Sequence, residues 1–126
     1  MGEEVLLESG RVWREGGVLR FEQSVATLDL DAARNHIEVM VQMAAEQPPP
    51  RLVLIDPGPL AHMTRDARRY VSEQSAKSFD RLAVVVRNPV QRMIATFVQR
   101  VSPVTIPMRP VPSPEAGIAW LLQEED

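Results

Sequence analysis

Two uninterrupted apolar runs constrain the fold of this chain most strongly. The run Leu52 to Ile55 stops abruptly at Asp56, and the segment Arg81 to Arg87 repeats the pattern of an apolar centre between polar ends. A strand that is apolar without alternation is buried on both faces, which is typical of the middle of a parallel sheet. We therefore predict an α/β domain in which both runs are central strands.

Shorter runs of strand-forming residues precede the first central strand. They are Val5–Leu7, Arg11–Arg14 and Val18–Phe21, and the last two are separated by Gly16-Gly17. A Gly-Gly pair between such runs predicts a β-hairpin, because the favoured turns need positive φ. A further run, Val25 to Leu28, is expected to continue the hairpin strand.

Capping residues and helical spacing predict four helices. Asp29, Thr64, Asn88 and Ser113 are suitable N-caps, and proline follows Asn88 and Ser113 at the first helical position. Strands and helices then alternate, which implies right-handed crossovers and a mostly parallel sheet. The expected fold class is α/β, with an N-terminal β-hairpin, alternating helix–strand units, a mixed sheet and about four helices in one domain spanning residues 1–126.

The apolar stripes also predict which helix faces are buried. The third helix has the strongest stripe and is expected to be core, through Val90, Met93, Ile94, Phe97, Val98 and Val101. The second helix has a thin stripe and is expected to lie mostly exposed, with Ser72 among its outward arginines. In the last helix, Ile118, Leu121 and Leu122 are expected to face inward. The proline-rich segment Val104 to Val111 predicts an edge strand.

Composition excludes several classes of protein. The chain has 126 residues, a net charge of −3 and no cysteine, so disulfides and thiolate chemistry are excluded and broad phosphate-backbone binding is disfavoured. No apolar run approaches the ~18 residues of a membrane span, and the acidic start is unlike a signal peptide. We expect a soluble, cytoplasmic protein with no transmembrane segment, no nucleic-acid partner and no cofactor.

Four segments together resemble a known fold family. They are DLDAARNHIEVM, LVLIDPGPLAHMTRDARRYV, AVVVRNPVQRMIATFV and PSPEAGIAWL, which cover most of the chain. Their layout is similar to the STAS domain of sulfate transporters and anti-sigma-factor antagonists, and is closest to its SpoIIAA-like branch. That branch is akin in fold to the CRAL-TRIO lipid-transfer domains. The resemblance implies a regulatory or protein-interaction module that is not an enzyme.

The same resemblance places a phosphorylation motif on the loop after the first central strand. In anti-sigma-factor antagonists the motif is Asp-Ser-Ser-Gly, and a partner kinase phosphorylates its second serine. Here the motif falls on Thr64-Arg65-Asp66-Ala67, so the phosphorylated position carries Asp66. Either Asp66 supplies a fixed negative charge, or Thr64 accepts the phosphate, or both residues only cap and charge the start of a helix.

The predicted partner-contact surface is the loop from Asp56 to Met63 with the exposed face of the following helix. Its candidate residues are Asp56, His62, Thr64, Arg65, Asp66, Arg68 and Arg69. The three arginines near a helix start could bind a partner carboxylate or phosphate. Asp56, His62 and Asp66 could in principle form an acid–base or metal site, but their spacing on a proline-broken loop favours neither.

Two alternatives to this interpretation concern ligands and assembly. Binding of a lipid or another apolar ligand is suggested by the kinship with CRAL-TRIO domains and by the methionine-rich helices, although so short a chain is expected to fill its interior with its own side chains. A homodimer is suggested by the proline-rich edge strand and by the flank formed by His36, Met40 and Met43, although the favoured interpretation of that flank is the edge of the core.

Overall fold

A six-stranded mixed sheet forms the centre of the protein. The computed structural model describes residues 4–101 and 106–123, except for the side chains of residues 97–101. The elements in chain order are β1 (Glu4–Leu7), β2 (Gly10–Glu15), β3 (Val18–Gln23), β4 (Thr27–Leu28), α1 (Leu30–Ala45), β5 (Leu52–Asp56), β6 (His62–Met63), α2 (Arg65–Ser78), β7 (Arg81–Val85), α3 (Pro89–Val101), β8 (Met108–Val111) and α4 (Pro114–Leu121).

The strand order in the main sheet is β1-β2-β3-β5-β7-β8. Strands β1 to β3 pair antiparallel, whereas β3, β5, β7 and β8 pair parallel. The three crossovers between the parallel strands all advance in one direction, so right-handed connections place α1, α2 and α3 on the same face. The N-terminal hairpin, the alternating units and the edge position of β8 are confirmed.

The two faces of the sheet are covered by different helices. On one face, Val53 and Leu19 pack with Ile37 and Met40 of α1. On the other face, Leu52 and Leu54 pack with Leu121 of α4. We call these the three-helix face and the α4 face. Neighbouring strand residues point to opposite faces, so the continuous apolar run of β5 supplies both cores.

The predicted N-caps are also confirmed. Asp29 accepts a hydrogen bond from the Ala32 amide (2.9 Å), and Thr64 accepts one from Ala67 (3.2 Å). Asn88 and Ser113 accept equivalent bonds at the starts of α3 and α4. No helix within residues 4–101 and 106–123 is both long enough and apolar enough to span a bilayer.

The segment after β3 differs from the prediction. Thr27 and Leu28 do not continue the hairpin strand; they pair in parallel with His62 and Met63 to form a second, two-stranded sheet. The Gln23 side chain donates to the Val25 carbonyl at 2.7 Å, which turns the chain away from the main sheet.

The predicted buried face of α3 is confirmed at Ile94, which is half-buried against the core, and is wrong at Val90 and Met93. Val90 and Met93 are 44% and 65% exposed, and Gln91 and Ala95 are buried instead. The Gln91 side chain donates to the carbonyls of Gly58 and Leu60, and these bonds fix the rotation of the helix. The predicted side-chain positions of Phe97, Val98 and Val101 lie outside the described part.

Three smaller predictions about helix faces are also corrected. Ser72 lies on the buried side of α2 rather than among outward arginines. Leu122 follows the end of α4 and is 51% exposed, whereas Gly117 is buried. The flank of α1 formed by His36, Met40 and Met43 is buried within the monomer, because the inward face of this helix is wider than the main stripe. This confirms that the flank belongs to the core and excludes it as the surface of a homodimer.

Candidate functional site

A cavity lies between the sheet and the helices on the three-helix face. About 80 Å³ of this cavity can hold the centre of a water-sized sphere. That is room for several water molecules or for a small ligand, and it is below the roughly 300–1,000 Å³ that is usual for ligand pockets. The side chains of the chain therefore fill most of its interior and leave a small cavity.

The cavity wall is mostly apolar and comes from many separate elements. Strands β3, β5, β7 and β8, helices α1, α2 and α3, and the loop between β5 and β6 all contribute. The apolar lining residues are Phe21, Leu28, Ile55, Pro57, Leu60, Met63, Val71, Leu82, Val84, Val85, Ile94, Ala95 and Met108. The polar lining residues are Gln23, His36, Ser72, Ser75 and Gln91. No described lining residue is an aspartate, glutamate, lysine or arginine.

His36 is held in the wall by a defined set of contacts. Its ring stacks on Phe21 with the ring centroids 3.9 Å apart, and its Nδ1 lies 3.1 Å from both the Ala32 carbonyl oxygen and Ser9 Oγ. A carbonyl oxygen only accepts, so we assign the hydrogen to Nδ1. In the neutral ring, Nε2 then carries a lone pair and can only accept.

Burial keeps this ring uncharged at neutral pH. The imidazolium form loses its hydration in the core, and this lowers the pKa of His36 to about 4, although the bond to the Ala32 carbonyl acts in the opposite direction. The cavity wall is therefore uncharged near pH 7. An uncharged wall favours an uncharged occupant, because an unpaired charge in such a site is strongly disfavoured.

Two serines of α2 are the second polar feature of the wall. Ser72 is 5% exposed and Ser75 is 1% exposed. The Oγ of Ser75 is buried and has no hydrogen-bond partner among the described residues. An unpaired buried hydroxyl costs roughly 1–3 kcal/mol and calls for an explanation.

The loop between β5 and β6 closes one side of the cavity and is held firmly. Gly58 has φ +54°, and a Cβ at this position would lie 2.2 Å from the Gln23 carbonyl oxygen. Gln91 donates to Gly58 and Leu60 and accepts from the Arg87 amide at 3.1 Å. The amide nitrogen of Gln91 thus fixes the loop, while its amide oxygen holds the segment that follows β7.

Asp56, at the carboxyl end of β5, forms an ion pair with Arg87. The two side chains make two hydrogen bonds, of 2.5 and 2.9 Å, and Asp56 also accepts from the Gly58 amide at 3.0 Å. Burial would raise the pKa of the Asp56 carboxyl, but the bonds from Arg87 and Gly58 outweigh burial and leave the pKa below its usual value. Asp56 therefore has a structural role in the loop.

The other six predicted contact residues fall into two groups. Thr64 caps α2, and Arg68 donates from Nη1 to the Met63 carbonyl at 3.0 Å, so both have contacts within the chain. The exposed ones are His62, Arg65, Asp66 and Arg69. No group of three or more histidine, aspartate or glutamate side chains within the described ranges could hold a metal ion.

Sequence reasoning assigned apolar wall residues such as Ile55, Val71 and Ile94 to buried strands or helix stripes, but it missed the cavity and the polar residues of its wall. Ser72 and Ser75 look like surface positions because they are polar, and Gln91 looks like one for the same reason. One signal was present in the sequence. The apolar stripe of α2 is too thin for a helix that must cover a sheet, which indicates that its inward positions carry small polar residues.

Comparison with solved structures shows the fold. The chain is similar to an uncharacterised protein of the DUF3478 family from Shewanella loihica PV-4, which has a SpoIIAA-like fold. The TM-score is 0.64 at 15% sequence identity, and the match covers 96% of this chain and 95% of that one. The protein therefore has a SpoIIAA-like fold, as its sequence segments suggested.

Two further comparisons concern relatives in sequence. The search of curated proteins finds no match. The scan against family models matches residues 12–125 to DUF7793, a domain of unknown function. This match covers most of the chain, and the protein is a member of the DUF7793 family.

Proposed function

We propose that this protein is a non-enzymatic module that binds a small, mostly apolar molecule in the cavity of the three-helix face. The observation that carries the proposal is the cavity itself, which is lined by apolar side chains with a few polar groups among them. Pockets for small molecules usually have this composition. The kinship of the fold with CRAL-TRIO domains adds support.

The non-enzymatic part of the proposal rests on the predicted acid–base residues. The Asp56 carboxylate is occupied by Arg87, while His62 and Asp66 are exposed. General acid–base catalysis needs converging groups with tuned pKa values at a substrate. The polar groups that do line the cavity are neutral, which suits binding better than proton transfer.

A neutral fluorescent probe, N-phenyl-1-naphthylamine, tests the proposed binding. We expect a saturable rise in emission with the purified protein, because the probe leaves water for an apolar site. The variant Ser72→Leu places a larger side chain in the cavity wall and should weaken binding about 10-fold or more, since displaced ligand contacts and overpacking act together.

A matched control uses the same helix and the same substitution. Ser78 is half-buried and does not line the cavity, so Ser78→Leu should leave the affinity within about twofold. Circular dichroism establishes that both variants fold. Absence of saturable binding, or an equal loss in both variants, would overturn the proposal.

A protein contact through α2 is the second candidate function. It is supported by the exposure of His62, Arg65, Asp66 and Arg69 on the loop and the first turns of the helix. The two arginines carry charge at the surface and suit an acidic partner. This candidate preserves the regulatory interpretation with a smaller surface than the sequence suggested, because Asp56, Thr64 and Arg68 are used internally.

Charge reversal separates this candidate from non-specific association. The double variant Arg65→Glu and Arg69→Glu should lose a partner that the unmodified chain recovers in a pull-down. Arg92→Glu, at an exposed position of α3, is the matched control and should retain that partner. Equal recovery by both variants would reject the α2 surface.

A further inference from the structure

The walls of the cavity also restrict the chemistry of its ligand. We infer that the ligand is an uncharged molecule carrying a hydroxyl group, whose oxygen pairs with Ser75 and whose hydrogen can pair with His36. This inference rests on the proposed function, because it concerns the occupant of the same cavity. It starts from two groups with complementary hydrogen-bonding capacity, the Ser75 hydroxyl and the His36 imidazole.

The Ser75 hydroxyl is the first group. It lies on α2 in the cavity wall, it is buried, and its Oγ has no partner among the described residues. A serine in a helix can often bond to the carbonyl one turn earlier, and Ser75 does not do so. Its hydroxyl hydrogen therefore remains for a ligand atom that accepts.

His36 is the second group. The contact of Nδ1 with the Ala32 carbonyl fixes the hydrogen on that nitrogen, so Nε2 is an acceptor in the neutral ring. Ser9 Oγ donates to Asn35 Oδ1 at 3.0 Å, and so the hydroxyl hydrogen of Ser9 is not directed at His36. An acceptor in the wall selects a ligand atom that donates.

A ligand hydroxyl meets both requirements, since it donates one hydrogen and accepts on two lone pairs. A carboxylate only accepts, and in this cavity it would be a charge with no lysine or arginine in the described wall. Burying such an unpaired charge costs several kcal/mol. A pure hydrocarbon would leave Ser75 unpaired. The apolar remainder of the ligand is expected to occupy the aliphatic part of the cavity.

Isothermal titration calorimetry with three probes at neutral pH tests this inference. The probes are n-octanol, octanoate and n-nonane, the last being an alkane with as many heavy atoms as n-octanol. We expect octanoate to bind at least about 10-fold more weakly than n-octanol. Ser75→Ala should weaken n-octanol binding about 2- to 10-fold, the value of one hydrogen bond, and should leave n-nonane binding unchanged or tighter.

Ser78→Ala, in the same helix but outside the cavity wall, is the matched control and should leave all three affinities unchanged. Because alanine is the best helix former, both variants should fold. If no probe binds the unmodified protein, the proposed function fails. If the probes bind but Ser75→Ala changes n-octanol and n-nonane equally, or if octanoate binds as tightly as n-octanol, the cavity remains a binding site and the inferred ligand class is wrong.

Discussion

The two faces of the same sheet are packed in opposite ways. On the α4 face, a helix of eight residues lies so close to the sheet that a Cβ on Gly117 would be 2.6 Å from the Leu54 side chain. On the three-helix face, three longer helices leave a cavity of about 80 Å³. The size of the inward side chains explains the contrast better than the number of helices.

The described residues of α2 and α3 that are fully buried near the cavity are small or polar. Ala67, Ser72 and Ser75 are the buried residues of α2, and α3 buries Gln91 and Ala95. Close packing normally fills the space between a helix and a sheet with large aliphatic side chains. Here such side chains come mostly from the strands and from α1, while α2 and α3 add Val71 and Ile94 to the wall and otherwise leave room. In the proposed function, the closely packed α4 face supplies stability and the three-helix face supplies the binding site.

A pair of valine substitutions should give the largest difference between the faces. Gly117→Val adds atoms where there is no space, and we expect it to lower the free energy of unfolding by about 3 kcal/mol. Ala95→Val adds atoms toward the cavity and should change the free energy of unfolding by less than about 1 kcal/mol. Urea unfolding of both variants measures this difference. Equal losses would show that the two faces are packed alike.

Acid should destabilise the three-helix face through His36. The pKa of this residue is about 4 in the folded protein and about 6.5 in an unfolded chain. Between these values the unfolded chain binds a proton that the folded protein does not, so stability is complete above about pH 6.5 and falls as the pH approaches 4. We expect the free energy of unfolding to fall by about 2 kcal/mol between neutral pH and about pH 4.5.

The variant His36→Phe isolates this effect from other titrating groups. The phenylalanine ring can still stack on Phe21 but cannot be protonated, so the loss of stability that His36 causes at acidic pH should be absent. Asp56 contributes at lower pH, because its lowered pKa gives stability that is lost as the pH falls below the usual carboxylate range. Urea unfolding at the two pH values compares the proteins. The same loss in the variant would contradict the assignment to His36.

The smallest effect concerns the unpaired hydroxyl in the cavity wall. Ser75→Ala removes a buried donor without a partner and improves helix propensity. We therefore expect it to raise the free energy of unfolding by about 1 kcal/mol in the absence of ligand. Ser78→Ala should raise the free energy of unfolding only through its better helix propensity, by about a few tenths of a kcal/mol. Thermal unfolding of the two variants gives the comparison. A loss of stability in Ser75→Ala would mean that its hydroxyl is already paired.

The fold could be predicted from the sequence because its signals are local. The uninterrupted run Leu52 to Ile55 identifies a central strand, and Asp29 or Asn88 identifies a helix start from a hydrogen bond within one turn. The alternation of strands and helices along the chain then predicts the parallel part of the sheet. The resemblance to SpoIIAA-like domains rests on the same local patterns and is confirmed.

The candidate site could not be predicted because it depends on distant contacts. The rotation of α3 is decided by Gln91, which bonds to a loop more than 30 residues earlier in the chain. Those bonds turn Val90 and Met93 outward against the helical pattern. The Asp56–Arg87 pair likewise joins two loops across the strand ends. Long-range polar contacts of this kind have no periodicity in sequence.

Methyl NMR during a titration with n-octanol tests the central claim most directly, because it reports on both faces of the sheet at once. We predict saturable shifts at the cavity methyls of Leu60, Met63, Val71 and Ile94, and constant positions for Leu54, Val111 and Leu121 on the α4 face. Cavity methyls that do not respond, or shifts of equal size on the α4 face, would contradict a binding site on the three-helix face.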